Sequence, residues 1–157
     1  MLRRERLGKA FARTLPECRT ACLLLPPYTP ETADFRRIAM GWNAGLASTR
    51  ALHAAMPFLH RADEVCVFDG SPSRRAERKP SSFDPLDYLR EHGIAVRRER
   101  LAAAGHVGAA LLEAAAHMRA ELLVMGAYDH SRLRERVFGG TTHFVLAHAE
   151  LPVLLEH

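Results

Sequence analysis

The chain reads as an α/β protein whose mostly parallel sheet carries helices on both faces. Two observations carry that reading. From Arg36 onward, short apolar runs alternate with segments whose apolar residues recur at helical spacing. Turn and breaker residues, among them Gly70, Asp84-Pro85, Gly93, Gly126 and Pro152, punctuate the alternation. Strands alternating with helices of this length imply right-handed crossovers and parallel pairing.

The elements follow in order. Arg3 to Thr14 is expected to form a short amphipathic helix with Leu7, Ala10 and Phe11 on one face, and Thr20 to Leu25 a strand stopped by Pro26 and Pro27. Connections in compact domains are short, so this opening does not fit the unit that follows. The chain therefore divides into an N-terminal segment, residues 1–34, ending in the linker Pro26 to Asp34, and a domain over residues 35–157. Within that domain Ile38 to Trp42 is a strand, and Ala47 to Leu59 a helix through Leu52, Ala55, Met56 and Leu59. Glu64 to Phe68 is the next strand, and the polar stretch Gly70 to Ser82 a loop. Asp84 followed by Pro85 starts a helix, because the carboxylate can cap it and the missing proline N–H costs nothing there; Gly93 ends it. Ile94 to Arg100 is a half-exposed strand, Val107 to Met118 a helix, Leu122 to Met125 a strand, Thr141 to Ala149 a helix and Val153 to Leu155 the closing strand.

Composition narrows the function classes. A chain of 157 residues, 48% hydrophobic and 25% charged, can bury a core of its own. The net charge is +4, but the arginines are scattered and aromatics make up only 7%, which argues against a dedicated nucleic-acid surface. Cys18, Cys22 and Cys66 show no paired spacing, so neither a disulfide framework nor a zinc site is expected. Leu2 is followed by Arg3, Arg4, Glu5 and Arg6 without the apolar run of a secretory leader, and no stretch suits a membrane span. The expected setting is a reducing cytoplasm.

The segment with the most chemistry is Leu122 to Thr142, LLVMGAYDHSRLRERVFGGTT. A strand breaks at Gly126, a basic loop follows, and Gly139, Gly140, Thr141 and Thr142 open a helix. That order puts backbone N–H groups and two hydroxyls at a helix N-terminus beside a strand end, an arrangement suited to phosphate. The stretch resembles the signature loop of the universal stress protein family, where a glycine, two residues, a second glycine, nine residues, then glycine and Ser or Thr wrap the phosphates of ATP. Gly126 and Gly139 match, with His130 to Phe138 between them; Asp129 stands in place of the second glycine and Gly140 in place of the Ser/Thr. The resemblance runs from about Arg36 to Glu156. It implies five parallel strands with a ligand cleft at their C-termini, and a final strand that meets a counterpart from another domain in an antiparallel contact. Thr20 to Leu25 resembles that counterpart, like the tail of a preceding domain in tandem members. It is expected to pair with Val153 to Leu155, within one chain or swapped in a homodimer.

The resemblance further implies an adenine nucleotide, ATP or AMP, with Mg²⁺ if ATP, held by Trp42, Asn43, Phe68, Gly126, Asp129, Arg132, Gly139, Gly140, Thr141 and Thr142. Asn43 stands where ATP-binding relatives carry an aspartate facing the adenosine. An amide can still donate and accept there, or it can cap the next helix. Asp129 repels a triphosphate unless Mg²⁺ or an arginine, from Arg132, Arg134 or Arg136, intervenes. His106, His117, His130, His143, His148 and His157 lack metal-ligand spacing of the HExxH kind, and no nucleophile with its base and no paired carboxylates are in evidence. Two readings follow: a nucleotide-binding stress-response module with little or no turnover, or a universal stress domain that binds no nucleotide and serves as a dimerisation or interaction scaffold.

Overall fold

The computed structural model of the chain describes residues 20–30, 34–70, 83–101, 105–127 and 140–157. The expected helix at Arg3 to Thr14 and the site positions Asp129, Arg132 and Gly139 lie outside the described residues. The elements are β1 (Cys22–Leu24), β2 (Arg37–Trp42), α1 (Leu46–Leu59), β3 (Glu64–Asp69), α2 (Pro85–Glu91), β4 (Val96–Arg100), α3 (Val107–His117), β5 (Leu122–Gly126), α4 (Gly140–His148) and β6 (Val153–Glu156). The strands form one six-stranded sheet in the order β1-β6-β5-β2-β3-β4. Every pairing is parallel except the antiparallel pair of β1 with β6.

Strand alternation divides the interior into two cores. Ile38, Met40 and Trp42 of β2, with Val65, Val67, Leu122, Val124 and Leu154, meet Leu52, Ala55 and Leu59 of α1 and Leu86 and Leu89 of α2 on one face. Ala39, Cys66, Phe68, Leu123, Met125, Val153 and Leu155 meet Leu111 and Ala115 of α3 and Val145 of α4 on the other. Burial pushes the Cys66 thiol up from its ordinary pKa, with Glu64 adding to the effect and Arg97 opposing it. Cys66 is thus a small core residue with an unreactive thiol.

The start of β2 is locked to β5 by one carboxylate. Glu121 accepts from the Arg36 and Arg37 N–H groups at 2.7 and 3.0 Å and from the Arg37 guanidinium at 2.6 Å. Arg37 Nε also donates to the Arg119 carbonyl at 2.8 Å. This fixes the register that pairs Ile38 with Leu122 and Gly41 with Met125.

At α2 the expected cap is present: Asp84 accepts from the Leu86 N–H at 2.8 Å and from Arg98 Nη2 of β4 at 2.8 Å. Desolvation works against the Asp84 charge, but the Leu86 N–H, the Arg98 guanidinium and the Asp87 N–H outweigh it and hold the carboxyl below its ordinary range. The helix ends in a Schellman turn. Gly93, at φ +73°, donates to the Arg90 carbonyl, and Ile94 donates to the Leu89 carbonyl. Ile94 was expected to open the next strand; it instead closes this turn with its side chain buried near Leu89, and β4 begins at Val96.

The expected pairing at the other end is present within one chain. Cys22 lies opposite Leu155 and Leu24 opposite Val153. Cys22 and Leu24 pack against the second core, while Leu23 and Leu25 are 37% and 56% exposed. The two outer strands differ in chemistry: β4 carries Arg97, paired with Glu64 at 3.0 Å, and Arg98, whereas β1 carries no charge.

Two outcomes are expected. Because the folded pKa of Asp84 is depressed, its contribution to stability is complete above the ordinary carboxylate value and is lost as pH falls through the folded one. Asp84→Ala should therefore lower thermal stability at pH 7, by about 1 kcal/mol for the lost cap, and by less as pH falls below about 4; an equal deficit at every pH refutes the assignment. Deleting residues 1–34 uncovers the β6 edge and should lower solubility or change the oligomeric state in sedimentation; a truncated protein with unaltered sedimentation and melting shows that β1 protects nothing.

Candidate functional site

The connectivity itself locates a crevice. From β2 the chain moves outward through β3 and β4, then crosses back to β5 and β6 on the other side. The C-terminal ends of β2 and β5, where the winding direction reverses, are where open α/β sheets take ligands.

Trp42 ends β2 with its indole 4% exposed and 6.0 Å from the Phe83 ring, centroid to centroid. Phe68, on β3, is 2% exposed and faces the opposite core. These two expected site residues thus place their side chains on opposite faces of the sheet. The Trp42 carbonyl accepts from the Gly70 N–H at 3.0 Å. Asn43, by contrast, is exposed. Its Oδ1 accepts from the Gly45 N–H at 2.9 Å, closing a turn in which Ala44 takes the left-handed conformation, φ +57°. Gly45 is the N-cap of α1 and supplies no side-chain cap. Asn43 therefore shapes the approach to the helix and leaves the cap position to Gly45, whose carbonyl accepts from Ser48 Oγ and Thr49 Oγ1 at 2.8 and 3.1 Å.

Across from this turn lies Gly126, at the end of β5. A Cβ there would sit 2.5 Å from the Ser48 nitrogen, 2.7 Å from the Ala47 carbonyl carbon and 2.9 Å from Ala47 Cβ. The first two are backbone atoms of the first turn of α1 and cannot swing aside. The sequence pointed to Gly126 for phosphate; the geometry adds that β5 and α1 can pack this closely only on a glycine.

The third part is the start of α4. The helix begins at Gly140, one residue earlier than expected, with Thr141 half-buried and Thr142 4% exposed. Thr142 points inward, so Thr141 is the more accessible of the two hydroxyls. Beside it runs α3, held close by Gly108, where a Cβ would lie 3.1 Å from both Phe144 Cβ and the Thr141 carbonyl oxygen. His106, the N-cap of α3, packs its tilted ring against Phe144 at 4.5 Å between centroids, and its Nε2 would be 3.6 Å from a Cβ on Gly140. Two helix N-termini and one exposed imidazole thus stand together. The sequence showed His106 only as a histidine without metal-ligand spacing; its position directly ahead of the helix at Val107 was the signal available.

Among the described residues no group of three or more His, Cys, Asp or Glu side chains is placed to hold a metal ion. Nor is any described helix long and apolar enough to cross a membrane. A groove of about 650 Å³ lies at the opposite end of the sheet, between Pro26, Tyr28, Phe35, Glu121, Leu151 and Pro152. It is remote from Asn43 and Gly126 and forms no part of the crevice.

The family model described as the universal stress protein family matches residues 35–156. The chain belongs to the universal stress protein family. No curated protein matches it. Among solved structures it is similar to a universal stress protein from Archaeoglobus fulgidus DSM 4304, with TM-score 0.62 and 16% identity over 87% of this chain and 49% of that one. It is also similar to a universal stress protein from Archaeoglobus fulgidus, with TM-score 0.58 and 17% identity over 78% and 99% of the two chains. For universal stress protein UspA from Lactobacillus plantarum the values are 0.55 and 19%, over 78% and 98%. These likenesses show the universal stress fold. The chain spans about half the length of the first of them. That alignment takes in more of the chain than the family match does, and β1 is the described strand lying outside that match.

The two described glycines of the stretch from Gly126 to Thr142 should behave oppositely. Gly126→Ala should destabilise the protein by about 1–3 kcal/mol through the clash with α1, whereas Gly140→Ala, which meets only ordinary contact with His106, should stay within about 0.5 kcal/mol. Thermal or urea denaturation of the two variants measures the difference, and equal effects refute the close approach.

Proposed function

We propose that the chain binds an adenine nucleotide, ATP or AMP, between Asn43 and the N-terminus of α4, and acts as a stress-response module with little or no turnover. The observation that carries this reading is the meeting of the α3 and α4 N-termini, at His106 and Gly140, on the side of the sheet where β5 ends. Helix N-termini present N–H donors and a partial positive charge to an anion. The phosphates belong beside Gly139, Gly140 and Thr141. The adenosine belongs on the Asn43 side, with Arg132 and, for ATP, Mg²⁺ offsetting Asp129. Hydrolysis, if any, runs well below the ~1 to 1000 per second of ordinary enzymes. Residues 1–34 serve as a segment outside the domain proper, like the last helix and strand of a preceding domain. The protein works in the cytoplasm, as a homodimer.

A second reading has a specific observation in its favour. Asn43 is engaged in a turn, Gly126 is required by packing, and Thr142 is buried, so these site residues also have structural work. On that reading the domain binds no nucleotide and serves as an interaction scaffold.

Calorimetric titration of the intact protein with ATP and AMP, after identification of any small molecule that copurifies with it, separates the two. Thr141→Val, which removes a hydroxyl donor, should weaken ATP binding about tenfold, since one lost hydrogen bond to a charged group costs about 1.5 kcal/mol or more. Gly140→Ala keeps its N–H but puts a methyl group where the phosphates approach and should also weaken binding, and both should leave the melting temperature nearly unchanged. No measurable binding by the wild-type protein supports the scaffold; binding unaltered in both variants puts the phosphates elsewhere.

A further inference from the structure

The two helices on the face away from this crevice wall end side by side, and each ends on a histidine. His60 is the C-cap of α1 and His92 the C-cap of α2. They are 32 positions apart in sequence, yet their ring centroids are 6.4 Å apart, and both side chains are exposed. We infer that His60 and His92 together form a surface site for a divalent transition metal of the imidazole-binding class, Cu²⁺, Ni²⁺ or Zn²⁺.

The orientation of His92 supports this inference. Its Nδ1 lies 2.8 Å from the Tyr88 carbonyl oxygen. In the neutral ring Nδ1 therefore carries the proton and donates, which leaves Nε2 as the lone pair, the tautomer that metal-binding histidines adopt when a backbone carbonyl holds the other nitrogen. The Tyr88 ring, 4.3 Å away, further restricts the imidazole. His60 has no hydrogen bond holding its ring among the described residues and can turn to meet it.

Distance and charge agree. With metal–nitrogen bonds of ~2.0–2.1 Å, two imidazoles on one tetrahedral ion have centroids roughly 5 Å apart, so the rings, now 6.4 Å apart, must close by about 1 Å, a movement that rotation of the exposed His60 side chain can supply. Both histidines sit at helix C-termini, where the carbonyl ends favour a cation. Arg61, the neighbouring cation, is tied to Asp34 at 3.1 Å. With two protein ligands the rest of the coordination sphere is water, which makes the site exchangeable and orders affinity as Cu²⁺ above Ni²⁺ and Zn²⁺. The sequence could not reveal it, because the spacing has no local motif; only the parallel course of α1 and α2 brings the rings together.

The test is titration of the full chain with NiCl₂, followed calorimetrically at pH 7.5, for wild type, His60→Gln, His92→Gln and His117→Gln. One equivalent should bind to wild type and to His117→Gln, and affinity should fall at least tenfold in each of the other two variants, because a chelate becomes a single ligand. Circular dichroism confirms that the exposed substitutions leave the fold intact. Adding Ni²⁺ should also raise the melting temperature of wild type and not of His60→Gln, since the ion would bridge α1 to α2 only in the folded state. Absence of a saturable equivalent, or binding that survives either His60→Gln or His92→Gln, overturns the site.

Discussion

The contact between Gly126 and the first turn of α1 governs the rest of the structure. Where β5 ends, its backbone approaches the Ser48 nitrogen and the Ala47 carbonyl carbon so closely that even one methyl group has no room. That approach seats α1 across β5 and β6 and fixes the direction from which the helix leaves the Asn43 turn. The whole apolar stripe of α1, Ala51, Leu52, Ala55 and Leu59, reaches its core because of where this first turn is held. The crevice at the switch point is therefore shaped by a packing requirement before any ligand is considered, and the same glycine serves both.

Much of the architecture was legible because the signals are local and physical. The run VCVF in β3 is buried at all four positions, as a strand covered on both faces requires. Asp84 with Pro85 marked the start of α2, and Gly93 its end, because a carboxylate cap and a left-handed glycine each solve a definite problem of unpaired backbone. TACLLL followed by two prolines was legible as a strand, and the resemblance to the universal stress protein family implied that it is the antiparallel partner of β6. Less could be read where a residue serves two neighbours. Ile94 looked like a strand residue by its apolar character, yet the Schellman turn claims its backbone N–H.

The site was legible in outline and not in its details, and the reason is steric. Sequence spacing gives which residues follow a strand; it does not give which way their side chains turn. Trp42 and Phe68 both end up in cores on opposite faces, and Thr142 turns inward while Thr141 stays accessible. His106 comes beside Gly140 only because Gly108 lets α3 and α4 approach. Such relations depend on helix-to-helix distance, which no single segment of sequence encodes.

The strand β1 is joined to the sheet by a single three-residue ladder to β6 and has an outer edge with no strand partner among the described residues. Elements secured on one side by so few hydrogen bonds open at a smaller free energy than the core they border. In amide exchange β1 should form a cooperative unit of its own, losing protection while the β2 and β5 ladder stays closed. Each such opening bares the backbone of β6 without unfolding the domain, so a short-lived, strand-accepting form belongs to the native ensemble of this protein.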